Sequence, residues 1–374
     1  MQKEETTDAR KKAVKQYRAS EVDCDVYDCA VPCNAIYVRR DILESNCQRT
    51  IVMESAFWQH FRRGGQTAVI IFVAITSFYQ CDKKKKVSLS RLTEIAIDTV
   101  ILNLIIRIAD LIAAKNVSIG NVIIAIVKAV FSPISGEYWF VTAFLVFGLL
   151  VPILRTGVEA FSRDQLQKCC VVLTIVLMCS DFFYLRFAGS VIDFVYVFVL
   201  ISYLKRYEYE RMNQNCKKYF VLSGLSIVTL CLLLKVAAEA TQKDFFAKGI
   251  THVFVNWNPI LVVFSVSIFW MFYIMDLKNN KAVNKAAGCV FGVYILHENQ
   301  VLSGKNSLLW CQIFRLNKHF YSFGFPIILI ADALVVFGVT LTLALLYKMM
   351  KGILLKTQIG VKGKIDLLLN HFDY

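Results

Sequence analysis

Apolar residues run along this chain in long blocks, and the polar residues bunch between the blocks instead of recurring within them at helical spacing. A helix that is apolar on every side belongs in lipid or deep inside a protein. Nine spans are expected on this pattern, at about 67–81, 92–112, 138–154, 169–186, 190–204, 219–235, 258–275, 286–301 and 325–347. Only five prolines and seventeen glycines punctuate the sequence, so helices are the expected element. A membrane β-barrel would show alternating segments of ~10 residues, and none is visible. Composition agrees: 57% of residues are hydrophobic, 19% are charged, and the mean hydropathy is +0.53. The expected fold class is an all-α polytopic membrane protein.

The formal net charge of +14 adds an orientation. One alternate set of loops (82–91, 155–168, 205–218, 276–285, 348–364) carries 21 Lys and Arg. The other set (113–137, the turn at 186, 235–257, 302–324) carries nine over longer loops. Basic loops stay in the cytoplasm, so the first set, with the Lys83–Lys86 run and the C-terminal tail, is expected inside. Nothing resembles a basic, aromatic strip that tracks phosphates, so nucleic acid is not an expected partner. The same rule produces a conflict at the start of the chain. Residues 1–63 hold eleven Lys or Arg and no apolar run long enough to cross, yet span 67–81 requires them outside. One helix is missing from the pattern.

Twelve cysteines fall into two groups. Eight, from Cys81 to Cys311, lie in or beside spans as small apolar residues. Cys24, Cys29, Cys33 and Cys47 cluster near the N-terminus without a C-x-x-C pair, which makes zinc a weak reading. No metal or tightly bound cofactor is indicated. Span 92–112 is atypical, with Glu94, Asp98, Arg107 and Asp110 in it or at its ends. Arg107 and Asp110 share a helix face at three-residue spacing, and an interior ion pair between them is expected.

Several motifs then appear in order. They are GGQTAVIIFVAITSFYQC (64–81) with a Lys run and a Ser-Leu-x-Arg-Leu entry, SPISGEYWFVTAFLVFGLLVPIL (132–154), DFVYVFVLISYLKRYE (193–208), and FGVYILHEN (291–299) followed by Leu309–Trp310. In this order and topology the chain resembles the acyltransferase-3 family of bacterial integral membrane O-acyltransferases, from Gly64 to about residue 347. The resemblance divides the chain into a non-matching segment (1–63), a transmembrane domain (64–350) and a basic tail (351–374). It implies ten helices with both termini cytoplasmic, in the bacterial plasma membrane.

The family pattern begins with a helix bearing an Arg and, about one helix length on, a catalytic His. Residues 18–35, RASEVDCDVYDCAVPCNA, account for its absence if they are translated out of frame. With permitted codons, a one-nucleotide shift gives E-Q-V-R-L-I-A-M-F-M-I-V-L-F-H-A-M, an apolar helix with an Arg near its start and a His near its end. Restoring it would add the tenth helix and remove the topology conflict.

The resemblance implies transfer of an acyl group, commonly acetyl, from acyl-CoA as co-substrate to a hydroxyl of a cell-surface sugar or polysaccharide. Such a reaction needs a base for the hydroxyl proton and donors for the developing oxyanion. His297, with Glu298 beside it, is the candidate catalytic group, because an ionisable residue in a span is a functional candidate by default. Tyr138, Trp139, Phe140 and Asn299 are candidates for the acceptor site, and Arg91 for the CoA phosphates. For each there is a plainer role: a helix cap for His297, an interfacial aromatic belt for Tyr138 to Phe140, loop anchoring for Arg91 and its lysines. Ser77 is expected to allow close helix packing. His60 sits on a polar, Arg-flanked segment and is set aside as a base; His252, His319 and His371 receive no role. The alternatives to an enzyme are a catalytically dead remnant of the family and a membrane transporter.

Overall fold

The computed structural model describes residues 65–82, 89–182, 190–243, 245–246, 249–250, 253, 258–299 and 325–357. Among them there are helices and no strands. In chain order the helices are α1 (Gly65–Gln80), α2 (Leu89–Ala113), α3 (Ile119–Phe131), α4 (Trp139–Ala160), α5 (Arg163–Phe182) and α6 (Ser190–Tyr207). They continue with α7 (Tyr209–Thr241), α8 (Pro259–Ile274), α9 (Lys281–Ala287), α10 (Val290–His297) and α11 (Phe325–Thr357).

Three of these contain stretches long and apolar enough to cross a membrane by themselves: Trp139–Ala160, Tyr209–Thr241 and Ile330–Ile353. Every one of the nine expected runs contains a helix, but two departures matter. First, the loop expected at 113–137 holds α3, a 13-residue helix that is apolar and too short to span. Second, the run expected at 286–301 is broken at Gly288 and Cys289, so that α9 and α10 are separate short helices.

Local chemistry explains several boundaries. The Ser118 hydroxyl accepts from Asn121 N at 3.2 Å and starts α3. The Asn258 side chain caps α8 by accepting from Ile260 N at 2.9 Å, with Pro259 in the first turn, where its missing N–H costs nothing. Asn280 caps α9 through bonds from Ala282 N and Val283 N. Gln242 ends α7 in the left-handed region at φ 56°. Hydroxyls inside apolar helices bond their own backbone: Thr99, Ser202, Ser265 and Thr340 each donate to the carbonyl four residues back. Each therefore needs no partner from lipid.

The core lies around α6, where Phe194, Val197, Phe198 and Ile201 are fully buried. Helix α6 packs against α1, α4, α5 and α7, and α8 packs against α1 and α7. Aromatic rings join these layers. Phe72, Phe140, Phe144 and Phe291 bring α1, α4 and α10 together, while Phe78, Phe269 and Trp270 join α1 to α8. Ser77 is completely buried on α1, in keeping with the close packing expected of a small residue. Gly292 gives α10 its approach to α11, since a Cβ there would stand 3.0 Å from Ala344 Cβ.

Charges gather at one end of the bundle. Lys205 pairs with Asp82 at 2.8 Å, Arg163 with Glu208 at 2.8 Å, and Lys351 with Glu94 and Asp98 at 2.9 and 2.6 Å. Arg155 donates to Gln80 O, and Arg206 to Val158 O. These residues come from the loops and helix ends that the Lys and Arg count placed on one side. Arg91, exposed in the first turn of α2, belongs to this end. Helix α2 runs antiparallel to α11: Asp98 meets Tyr347 and Lys351 here, and Asn103 and Arg107 point the other way along the bundle.

Candidate functional site

Asn103 and Arg107 stand one helical turn apart on α2, and their side chains meet residues from two other elements. Arg107 Nε donates to Asn103 Oδ1 at 3.1 Å, and its Nη2 donates to Glu137 Oε1 at 2.5 Å. The second Glu137 oxygen accepts from Asn103 Nδ2 at 3.3 Å. Only 15% of the Arg107 side chain and 10% of the Glu137 side chain remain exposed. The expected Arg107–Asp110 pair is thus corrected: Asp110 is exposed, and Arg107 turns to a carboxylate 30 residues on. The interior partner is favoured because Coulomb attraction grows where water is excluded.

The network continues into α10. Asn299 Nδ2 donates to Asn103 Oδ1 at 3.1 Å and to Tyr138 Oη at 2.6 Å. Asn299 and Asn103 are 1% and 0% exposed, and Tyr138 is fully buried. The orientations follow one from another. Arg107 has only donors, so it faces the Asn103 oxygen. That oxygen in turn requires the Asn299 nitrogen, and the same nitrogen makes the Tyr138 oxygen an acceptor. The Tyr138 hydroxyl hydrogen is left to be donated beyond the network.

His297 and Glu298 lie next to it. His297 Nδ1 is 3.0 Å from Val293 O, and a carbonyl can only accept, so Nδ1 carries hydrogen. Its Nε2 is 3.3 Å from Glu298 Oε1. With hydrogen on Nδ1, Nε2 is the ring nitrogen that gains or loses a proton, and the Glu298 carboxylate lies where it stabilises the ring once protonated. Both groups reach solvent, with 36% of the His297 side chain and 46% of the Glu298 side chain exposed. The Tyr294 ring connects them to the network, with its centroid 5.7 Å from His297 and 6.4 Å from Tyr138.

Of the residues singled out in the sequence, Tyr138, Asn299, His297 and Glu298 come together here. Phe140 is one residue from the turn but belongs to the aromatic core at 5% exposure, and Trp139 is half-buried against the same core. Arg91 is at the opposite end of α2. His60, His252, His319, His371, Lys83–Lys86 and the N-terminal cysteine cluster lie outside the described residues. Asn103 and Glu137 were missed. The signal for Asn103 was present: an amide and a guanidinium four residues apart inside an apolar run share a buried face. Glu137 carried no such signal, because it lay in a loop. Among the described residues no group of three or more His, Cys, Asp or Glu side chains is arranged to hold a metal ion.

Tyr138→Phe removes the acceptor at 2.6 Å from a buried amide while leaving the ring in place. A loss of about 1–3 kcal/mol is expected, read as a lowered unfolding midpoint in detergent. An unchanged midpoint would mean that the Asn299 amide is satisfied elsewhere.

No family model matches the chain, and no curated protein or solved structure matches it.

Proposed function

We propose that the protein is a membrane-bound O-acyltransferase that moves an acyl group, commonly acetyl, from acyl-CoA to a hydroxyl of a cell-surface sugar or polysaccharide. The observation that carries this reading is the placement of the His297–Glu298 pair beside the Asn103–Asn299–Tyr138 network, across the Tyr294 ring. The pair offers a base for the acceptor hydroxyl. Tyr138 offers a hydrogen to an oxyanion, held in place by Asn299. The order of motifs from Gly64 onwards supports the same reading. On it, the chain crosses a bacterial plasma membrane nine times, the basic end and the C-terminus face the cytoplasm, and the CoA phosphates approach Arg91 and its neighbours. Restoring the reading frame over residues 18–35 adds the tenth helix and the second His.

The test begins with the gene. Sequencing source DNA across codons 10 to 65 is expected to show a continuous shifted frame. The restored protein, expressed in a bacterium whose envelope glycan lacks O-acyl groups, is expected to transfer label from acetyl-CoA to that glycan. The chain as printed is expected to transfer none. His297→Ala in the restored protein should lower the rate by about 10²-fold or more without a matching fall in unfolding midpoint. A restored, correctly inserted protein that transfers neither acetyl nor succinyl groups would remove the enzyme reading.

One observation favours a second reading, a transporter. The apolar run expected at 286–301 is interrupted at Gly288–Cys289, which leaves α10 a short helix whose far end reaches the buried Asn299, as discontinuous helices do in transporters. Solute flux in proteoliposomes, insensitive to acyl-CoA, would select it.

A further inference from the structure

Helix α3 is apolar around most of its circumference. Ile119, Ile123, Ile124, Val127, Val130 and Phe131 are between 49% and 83% exposed, whereas Ala125 and Ala129 are buried. The two alanines form a narrow packing stripe on one face, and α3 packs along α2. At 13 residues it is ~20 Å long, against ~30 Å of hydrocarbon. It carries one charged side chain, Lys128, and no carboxylate. A surface-lying helix would keep a strongly charged face for water, whereas α3 offers only Asn121 and Lys128, seven residues apart on one side.

The depth of its far end follows from contacts. Helix α3 begins beside the end of α2, where Asn121 Nδ2 donates to Asn116 O at 3.0 Å. It ends at Phe131, and Pro133 O then accepts from Thr142 Oγ1 at 2.8 Å, one turn into α4. From Pro133 the chain climbs back to Tyr138, which is level with Leu102 and Asn103 on α2. Asn103 is seven residues inside Asp110, where the apolar part of α2 ends, or ~10 Å along the helix axis. Pro133 is therefore at least that far inside.

Most of the polar backbone in this turn is paired. Ser132 N donates to Ala129 O, Ser135 N to Phe131 O, and Ser135 Oγ accepts from Glu137 N. Yet Ser135 and Gly136 are exposed, and a Cβ built on Gly136 meets nothing within 4 Å. Irregular backbone at membrane depth is tolerated only when it is buried in protein or lines water. Ser135 and Gly136 are not buried in protein.

We infer that α3 is a re-entrant half-membrane helix, seated among lipid acyl chains, whose returning turn at Ser135–Gly136 forms the wall of a water-filled vestibule leading to Glu137 and Tyr138. The vestibule opens on the side of the membrane where α2 ends. This requires only that the chain lies in a bilayer, and it stands whether the network performs acyl transfer or transport. It gives a hydrophilic acceptor or solute a route to a buried polar network that lipid alone would seal.

The test uses the full chain in phospholipid vesicles, with its twelve cysteines untouched. A nitroxide is attached by click chemistry to an azido amino acid placed singly at 116, 123, 127, 130, 135 or 136. Collisions with oxygen report lipid, and collisions with a neutral nickel chelate report water. The label at 130 is expected ~10 Å deeper than the label at 123, seven residues of helix away, with oxygen access rising and nickel access falling between them. Labels at 135 and 136 are expected to recover nickel access at least several-fold over 130. Equal, shallow depths at 123, 127 and 130 would make α3 a surface helix and overturn the proposal. Deep but nickel-inaccessible labels at 135 and 136 would overturn the vestibule.

Discussion

Arg107→Ala is expected to destabilise the protein by about 3–5 kcal/mol, because it leaves a buried carboxylate without its cation. Among the described residues Glu137 then keeps the amide of Asn103, at 3.3 Å, and the Asn103 oxygen loses the guanidinium donor that orients it. Disorder should therefore spread along the chain of bonds to Asn299 and Tyr138. Replacing both partners with leucine is expected to recover most of the loss, since an uncharged pair has no desolvation to offset. Unfolding midpoints of the two single variants and the double variant, in one detergent, check this. Additive losses would show that Arg107 and Glu137 do not depend on each other, and the interior ion pair would have no energetic meaning.

Phe140→Ala is the second large effect, at about 3–5 kcal/mol. The Phe140 ring has neighbours on every side: Tyr294 at 5.1 Å, Phe72 at 5.5 Å, Phe291 at 5.6 Å, Phe194 at 5.8 Å and Phe144 at 5.9 Å between centroids. Those rings come from α1, α4, α6 and α10, so one truncation loosens four helices together. In a bilayer the loss is mainly of packing contacts, because the unpacked helices are already in an apolar solvent. Phe140→Leu should recover much of it. The pair of variants also separates two roles for the Tyr138–Phe140 motif. A wall of an acceptor cavity would lose substrate affinity without losing stability, whereas a core ring loses stability first. The burial of Phe140 favours the second order of events, and Tyr138 is the member of the motif that faces the polar network.

The apolar runs were sufficient to locate most of the helices, with boundaries that lipid-facing chemistry blurs. Span 219–235 is the middle of α7, which extends from Tyr209 to Thr241 because its polar first turns continue the same backbone helix beyond the apolar block. Helix α3 was hidden inside a nominal loop. Its run of 13 residues is too short to register as a span, and its two short polar flanks looked like a connection. The break at Gly288–Cys289 was hidden for the opposite reason: apolar residues continue across it, and hydropathy does not see an interruption of the helix.

The candidate site was half legible. His297, Asn299 and Tyr138 stood out as polar or aromatic residues at the ends of apolar runs. What they do to one another depends on α2, 196 residues before Asn299 in the case of the Asn103 bond. Arg107 shows the limit most clearly. Helical spacing offered Asp110, but the folded bundle offered Glu137 in a place with less water.

The sequence by itself determined that this chain is a set of apolar helices with its basic residues gathered in alternate connections. Hydrocarbon leaves a backbone only helices or closed barrels to satisfy its hydrogen bonds, and without alternating segments each apolar run has the helix alone. Only the tertiary structure decided which polar groups are buried together and which carboxylate neutralises Arg107. Those outcomes depend on distances between segments far apart in the chain, and no local pattern carries them.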